Sequence, residues 1–449
     1  MKKLIPTVII MLLIAVLSVN GITPSYIISA PGVASGMGAK LLCSARYVSG
    51  FSQQQAFADL VQYSSILERL DVQYNDEART VSTSFFGMAP TTATYIEGLG
   101  CANDYDGYNQ RHELTTSPLP VFTSRWPHGN RVETINSAVQ SLTDALVAQD
   151  NTAGLDTRAL LVVHKGNIIA ESYAQGASAE TPLLGWSMAK SLTSVMIGNL
   201  AYRGLLSADD AAGFSAWQDD NRRDITIKQL LTMTDGLDFS EQYNPGDDAT
   251  AMLFTEASAS DYALGRALAE QPGSQFNYSS GTANILSRLY VDKTGGTLAA
   301  AMQDYRTHIA VPLSFQHSIF ETDASGVFVG SSYLYASARD WARLGQLMLN
   351  KGVLNGARLV SEDWVTQSVQ PNNSLNSRAY GYQWWLNSDG SGSAVRWPDL
   401  PVEAYSAQGN RQQYVLVIPS KEMVIVRLGW TSGAYPISSR AAQLLQAVD

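Results

Sequence analysis

Apolar and polar positions follow the pattern of β-strands in two distant parts of the chain. The earlier part, "RALLVVHKGNIIAESYA", holds two apolar runs joined by Lys165, Gly166 and Asn167, which is typical of a tight hairpin. The later part holds three strand patterns: "YGYQWWL", "RQQYVLVIP" and "EMVIVRLGW". Because these patterns occur both early and late, we predict one antiparallel sheet assembled from both ends of the chain.

Apolar residues recur with helical spacing around and between these strand patterns. The helical segments are "TINSAVQSLTDALVAQ", "DITIKQLLTMTDGL", "SASDYALGRALAEQ", "SARDWARLGQLMLN" and "SSRAAQLLQAV". The second of them has a capped start and runs into a glycine turn. We therefore predict a mixed α/β fold of the α+β type, in which helices flank the sheet, a helical lobe is inserted, and a cleft separates lobe and sheet.

The first residues of the chain are typical of an export signal. Residues 1–24 begin with "MKKLIPTVIIMLLIAVLSVNG", which has a basic start and an apolar run followed by polar turn-forming residues. Val19 and Gly21 make only a passable cleavage site, so an uncleaved N-terminal anchor stays open as an alternative. We expect an exported protein, periplasmic or extracellular, whose contact with a membrane is limited to that possible anchor.

Residues 25–110 are predicted to form a small N-terminal extension. It has a helical pattern near "QQQAFADLVQYSSILERL", followed by a hairpin pattern that turns at Asn75 and Asp76. Residues 111–131 are polar, contain prolines and read as a connection. The main domain is therefore predicted to cover residues 132–449.

Composition narrows the classes of function. The 449 residues exceed what one hydrophobic core usually supports, and the formal net charge is −10. Lys and Arg are scattered, which argues against nucleic acid as a partner because backbone binding needs clustered cations. The widely spaced histidines form no ligand pattern for a metal. They are His112, His128, His164, His308 and His317. We expect no metal and no cofactor.

The two cysteines, Cys43 and Cys101, both lie in the predicted extension. In an oxidising compartment an isolated pair favours a disulfide over a metal site, which would need further ligands at close spacing. A pair of unbonded, buried thiols is the alternative.

Ser187 and Lys190 stand three residues apart in the apolar stretch "GWSMAKSLTSVMIGNL". Helical spacing places both side chains on one face, where a buried and therefore neutral amine could take the proton of the hydroxyl. A helix-capping serine beside a solvated lysine is the alternative.

Two later segments complete a possible site. "QPGSQFNYSSGTANILSRLY" places Tyr278 on a short connection before a helix, where a phenol could relay a proton. In "AYSAQGNRQQYVLVIP" Gly409 lets the backbone approach a substrate, and the N–H of Asn410 could join that of Ser187 in binding an oxyanion.

Taken in order, these motifs resemble the penicillin-binding and β-lactamase-like superfamily of serine hydrolases. The strings "HKGNIIAESY", "ITIKQLLTMTDGLDF" and "GYQWWL" strengthen the likeness, which covers residues 132–449 and is nearest to the branch of 6-aminohexanoate-dimer hydrolase and class C-type esterases. The resemblance implies a serine β-lactamase-like fold and hydrolysis of a small amide or ester substrate through an acyl-serine intermediate.

The resemblance also implies roles for single residues. Ser187 would be the acylated nucleophile, Lys190 its base and Tyr278 the proton relay. The backbones of Ser187 and Asn410 would bind the oxyanion. The residues implied in substrate binding are Tyr243, which is similar in placement to a tyrosine that closes over amide substrates, and Ser280, Gln408 and Gly409.

The chain departs from the superfamily pattern at two places. Ser280 stands where Tyr-x-Asn is usual, and Ala407 and Gln408 stand where a cationic residue is usual. The missing cation argues against penicillins and peptidoglycan stems, although Arg411 is close enough in sequence to replace it in part. A catalytically inactive cell-envelope binding protein, and a true β-lactamase or D-peptidase, stay open as alternatives.

Overall fold

The computed structural model describes residues 24–448. The predicted leader therefore lies outside the described residues except for Pro24. Among residues 24–448, no helix combines the length and the apolarity that crossing a bilayer requires.

The main sheet is antiparallel and is built from both ends of the chain, as predicted. Within residues 24–448 its strand order is β12-β13-β14-β15-β5-β6. The strands of the described part of the chain are β1 Leu70–Asn75, β2 Thr80–Phe85, β3 Met88–Ile96, β4 Gly100–Asn103, β5 Thr157–His164, β6 Asn167–Tyr173, β7 Leu183–Leu184, β8 Ser318–Phe320, β9 Leu334–Ala336, β10 Val353–Leu354, β11 Ala357–Arg358, β12 Trp385–Leu386, β13 Tyr405–Gly409, β14 Gln413–Ile418 and β15 Met423–Gly429. The early hairpin β5–β6 thus extends the late strands β13 to β15.

Thirteen α-helices occur within residues 24–448. They are α1 Pro24–Tyr47, α2 Gln53–Val61, α3 Gln110–Glu113, α4 Ser137–Thr152, α5 Ala189–Tyr202, α6 Ile227–Leu231, α7 Asp248–Phe254, α8 Ala259–Leu264, α9 Ser280–Lys293, α10 Leu298–Tyr305, α11 Ala338–Leu349, α12 Glu362–Ser368 and α13 Ile437–Val448. All five predicted helical segments contain a helix. The chain therefore has the mixed helix and antiparallel-sheet composition of a serine β-lactamase-like fold.

Both faces of the main sheet are covered by helices. Leu161 and Val163 of β5 belong to the large core that includes Leu344 of α11, on one face. On the other face Leu160 belongs to a second core, which also contains Leu146 of α4 and Leu444 of α13. Because alternate side chains of a strand point to opposite faces, a sheet buried on both sides needs the continuous apolar runs seen in the sequence.

Two predicted elements are shorter in the structure than their sequence patterns. The segment "SASDYALGRALAEQ" is helical only over α8, which ends at Leu264 with Gly265 as its C-cap. Beyond it the chain turns back, and Leu268 forms a β-bridge with Leu237. The strand pattern of "YGYQWWL" is realised only over Trp385–Leu386. In "YGYQWWL" the apolar residues before the strand, Tyr380, Tyr382 and Trp384, are buried in irregular structure. Residues 265–271, by contrast, are exposed or half-buried.

The N-terminal region forms an antiparallel sheet, β1-β2-β3-β4, packed against α1. The predicted hairpin is present, with Asn75 paired to Thr80. The strands β3 and β4 were not predicted. Cys43 of α1 and Cys101 of β4 are joined by a disulfide with a Cα–Cα distance of 6.0 Å.

A buried polar cluster fixes this region to the rest of the chain. Lys40 of α1 forms an ion pair with Glu321, and both side chains are almost completely inaccessible to solvent. Glu321 also accepts hydrogen bonds from the Ser44 hydroxyl, at 2.8 Å, and from the Cys101 backbone N–H, at 2.7 Å. Apolar residues of α1 and β2 belong to the same hydrophobic core as those of β5 and α5.

Candidate active site

Ser187 lies on a tight turn between β7 and α5. The turn is a 3₁₀ segment over Trp186–Met188, and the Gly185 N–H donates to the Leu334 carbonyl of β9 at 3.0 Å. Trp186 has a positive φ of 48°, which is unfavourable for a bulky residue and needs support from its surroundings. Its ring is held between Tyr63 and Tyr333, with ring centroids 6.1 and 6.2 Å away. Ser187 is thereby presented, partly exposed, at the start of the helix.

Lys190 lies one turn further along, and its side-chain amine faces Ser187. The Nζ atom is 3.1 Å from Ser187 Oγ, 3.0 Å from Ser280 Oγ and 3.0 Å from the Ser331 carbonyl oxygen. The side chain is 1% exposed. Burial lowers the pKa of Lys190 to about 8, against the negative charge of Glu241, which raises it. The amine is therefore well suited to act as a base close to neutral pH.

Tyr278 lies beside this pair, immediately before α9. Its ring centroid is 4.8 Å from Lys190 Nζ, and the ring stacks on Trp385 at a centroid distance of 5.0 Å. Burial raises the pKa of Tyr278, the charge of Glu241 raises it further, and the nearby Ser187 hydroxyl opposes both effects. The phenol is thus held protonated next to the serine.

Glu241 is a part of this cluster that the sequence did not reveal. Its carboxylate accepts hydrogen bonds from Ser280 Oγ at 2.5 Å, from the Ser280 backbone N–H at 2.6 Å and from the Tyr243 hydroxyl at 2.9 Å. Tyr243, predicted to bind substrate, is 44% exposed. One signal could have pointed to Glu241: it is the one acidic residue between Phe239 and Gly246, and it stands two residues before Tyr243.

The end of strand β13 lies against the turn that carries Ser187. A Cβ atom on Gly409 would come within 2.0 Å of the Gly185 carbonyl oxygen, so this approach requires glycine. Asn410 follows in the exposed turn between β13 and β14. Gln408 Nε2 is buried and has no hydrogen-bond partner within residues 24–448.

Arg411 is directed toward the N-terminal region. Its guanidinium lies 3.9 Å from the ring centroid of Tyr63 and 5.8 Å from that of Trp430, and the side chain is buried. The predicted partial replacement for the missing cation is therefore engaged with aromatic rings. Nothing in the described part of the chain gathers three or more His, Cys, Asp or Glu side chains closely enough to hold a metal ion.

Comparisons with known proteins identify the family of this chain. The sequence model of the Beta-lactamase family matches residues 139–447. The 6-aminohexanoate-dimer hydrolase of Paenarthrobacter ureafaciens is 25% identical over 307 residues, which cover 61% of this chain and 72% of that enzyme.

Solved structures share the fold. A Bacillus anthracis protein described as a 6-aminohexanoate-dimer hydrolase superposes with a TM-score of 0.58 and 21% identity, over 71% of this chain and 87% of its own. The hydrolase EstCE1, described as having promiscuous acyltransferase activity, superposes with a TM-score of 0.56 and 15% identity, over 69% of this chain and 98% of its own.

Proposed function

Because the chain belongs to the Beta-lactamase family, whose model matches residues 139–447, we propose that it is a serine hydrolase. It cleaves an amide or ester bond through an acyl intermediate on Ser187. The observation that carries the proposal is the contact of the buried Lys190 amine with the Ser187 hydroxyl, 3.1 Å apart. A serine hydroxyl becomes an effective nucleophile only when a base in such contact removes its proton.

Acylation begins when Ser187 Oγ attacks the substrate carbonyl carbon and its proton passes to neutral Lys190. The carbonyl oxygen becomes an oxyanion, which the backbone N–H groups of Ser187 and Asn410 stabilise. When the tetrahedral intermediate collapses, the carbon–nitrogen or carbon–oxygen bond breaks. Tyr278 then relays a proton to the leaving amine or alcohol and is reprotonated from Lys190.

Deacylation repeats these steps with water. Tyr278 and Lys190 take a proton from the water as its oxygen attacks the acyl carbon, and Ser187 Oγ leaves and regains its proton. The product is a carboxylic acid, and the enzyme returns to its starting state without metal or cofactor.

The substrate is a small amide or ester. The relative from Paenarthrobacter ureafaciens is a 6-aminohexanoate-dimer hydrolase, which supports amides as one class. Penicillins are a poorer fit, because Ala407 and Gln408 replace the usual cation and the Arg411 guanidinium lies against aromatic rings.

The test is intact-protein mass spectrometry after treatment with a fluorophosphonate, together with turnover of short-chain p-nitrophenyl esters and of linear amides. Ser187→Ala is the control. One adduct mapped to Ser187, with turnover lost in the variant, is the expected result. If a p-nitrophenyl ester instead leaves an acyl group on Ser187 that is never hydrolysed, the inactive binding protein would be favoured. No adduct on folded protein would overturn the proposal.

We also propose that the protein is exported. The disulfide between Cys43 and Cys101 supports this, because such bonds persist in oxidising compartments. Cell fractionation of the full chain, with N-terminal sequencing of the product, tests export and cleavage together. Recovery of the uncleaved chain in the cytosol would contradict it.

A further inference from the structure

We propose that Glu241 is a positioning residue that, through Ser280, turns the lone pair of neutral Lys190 toward Ser187. The inference rests on the proposed function and deepens it by explaining how the base is oriented. Neither Glu241 nor the direction of these hydrogen bonds follows from the matched motifs.

The Ser280 hydroxyl has one hydrogen, and Glu241 determines where it goes. Ser280 Oγ lies 2.5 Å from Glu241 Oε1, and an ionised carboxylate can only accept. The second carboxylate oxygen accepts the Ser280 backbone N–H at 2.6 Å, which fixes the carboxylate in place. Ser280 Oγ must therefore donate to Glu241 and can only accept from Lys190.

A neutral lysine has two N–H groups and one lone pair. One N–H donates to the Ser331 carbonyl, which can only accept, at 3.0 Å. The other donates to Ser280 Oγ, also at 3.0 Å, because that hydroxyl has already given its hydrogen to Glu241. The remaining direction, toward Ser187 Oγ at 3.1 Å, is left to the lone pair. The amine is thus set to receive the serine proton.

The groups around Lys190 leave these donor and acceptor roles unchanged. The Ser331 backbone is held by its own N–H, which donates to Asn284 Oδ1 of α9 at 3.1 Å. The titratable groups facing Lys190 and Glu241 are Tyr278, Tyr243 and Tyr380. Burial raises the pKa of Tyr278 and of Tyr380. Although 44% of Tyr243 is exposed, desolvation of the phenol and the Glu241 carboxylate that accepts its hydroxyl raise its pKa as well, so all three are neutral.

The negative charge of Glu241 has a second effect, on the pKa of Lys190. Two successive hydrogen bonds separate the Lys190 amine from the Glu241 carboxylate, so the charges lie within the roughly 6 Å at which an opposite charge raises the pKa of an amine. Of the charged groups in residues 24–448, Glu241 is the one that shifts the pKa of Lys190. Its charge also stabilises the Lys190 ammonium that forms when Ser187 attacks.

The test compares three variants: Glu241→Gln, Ser280→Ala and the double variant. In Glu241→Gln the amide oxygen accepts the Ser280 backbone N–H and the amide nitrogen donates to Ser280 Oγ. The serine hydrogen then turns to the Lys190 lone pair and competes with Ser187. We expect kcat to fall about a hundredfold. Ser280→Ala should cost about tenfold, because one acceptor is lost while the lone pair stays free.

The double variant separates positioning from mere loss of structure. It removes the hydroxyl that occupies the lone pair, so it should be several-fold more active than Glu241→Gln alone. The ascending limb of its pH–rate profile, and that of Glu241→Gln, should move to lower pH by about one unit, since the charge that raises the pKa of Lys190 is gone. Asp238 is an exposed acidic residue in the same loop, so Asp238→Asn is the matched control. It should change neither kcat nor the position of the ascending pH limb.

The rate of Ser187 labelling by fluorophosphonate is measured alongside ester turnover, and thermal unfolding verifies that each variant folds. An unshifted pH limb in Glu241→Gln, or a double variant no more active than Glu241→Gln, would overturn the inference. If Glu241→Gln does not fold, a labelling rate in Ser280→Ala as low as that of Lys190→Ala would overturn it. Failure of the wild-type chain to label at all would refute the proposed function instead.

Discussion

At the scale of single residues, the protonation state of Lys190 controls the proposed chemistry. The amine accepts the Ser187 proton only when neutral, and burial lowers its pKa to about 8. Below that pH the protonated fraction grows, so kcat/KM should fall about tenfold for each further pH unit and level off above it. A pH–rate profile between pH 5 and 10 on a p-nitrophenyl ester measures this. A profile that is flat between pH 6 and 8 would contradict Lys190 as the base.

Tyr278 gives a second prediction at this scale. Replacing it with Phe keeps the ring stacked on Trp385 but removes the hydroxyl that relays protons. Turnover should fall by about a hundredfold or more, while the thermal unfolding temperature stays close to that of the unchanged chain. Full activity in Tyr278→Phe would remove the relay from the mechanism.

The contact between Ser187 and Lys190 could be predicted from sequence, because it depends on a spacing of three residues within one helical turn. Glu241 could not be found in the same way. It meets Ser280 across 39 positions of sequence, through a loop whose conformation no local pattern specifies. The direction of Arg411 was equally hidden, because its guanidinium packs on Tyr63, a residue far away in the chain.

At the scale of elements, the site depends on the close approach of β13 to the nucleophile turn. Gly409→Ala would place a Cβ atom 2.0 Å from the Gly185 carbonyl oxygen, so either the strand or the turn must move. We expect at least a tenfold loss of ester turnover, since small displacements of reacting groups are costly. Gly32→Ala in α1 is the control, because its Cβ would meet Thr255 at an ordinary 3.5 Å and should leave turnover unchanged. Equal activity of the two variants would show that the approach is unimportant.

Helices were predicted more completely than strands, for physical reasons. The start of α6 carries a capping box in which Thr226 and Gln229 exchange hydrogen bonds, a signal contained within four residues. The strands β3 and β4 have no such local signal. They form because β3 pairs with β2 and β4 pairs with β3. Most side chains of β3 are exposed or half-buried and carry little apolar periodicity, and β4, although buried, is only four residues long.

At the scale of the whole molecule, the N-terminal region is fixed to the main body by the buried pair of Lys40 and Glu321. Lys40→Met leaves the Glu321 carboxylate buried without its cation, so the free energy of unfolding should fall by about 3–5 kcal/mol. Denaturant unfolding measures the loss. The double variant Lys40→Met with Glu321→Gln should lose less than the sum of the single variants, because neither charge is then left unpaired. Additive losses would contradict this coupling.

The disulfide provides a prediction that concerns stability alone. Replacing Cys43 and Cys101 with Ala should lower the free energy of unfolding by about 2–4 kcal/mol, because the unfolded chain regains the entropy of an open loop. Ester turnover should be unchanged in the folded protein. Mass spectrometry after alkylation, with and without reductant, establishes that the bond is present. A labelled thiol without reductant would contradict it.

The main sheet could be predicted from sequence because its central strands β5, β14 and β15 are continuous apolar runs. Such runs can be recognised without knowing which strands pair. How the extension joins the main body could not be predicted. Lys40 and Glu321 lie 281 positions apart, and a lysine in an apolar helix has no local mark that identifies its partner.

The strand order also determines when the protein can fold during its synthesis. β5 pairs with β15, and Leu161 lies opposite Val426. β5 therefore gains its second neighbouring strand only after Val426 has left the ribosome. Until then β5 and β6 are a lone hairpin, which is marginal in water. Contacts between such distant segments also form slowly. A nascent chain stopped before Met423 should therefore remain sensitive to protease from β5 to β14, and protection should arise only after translation has passed β15.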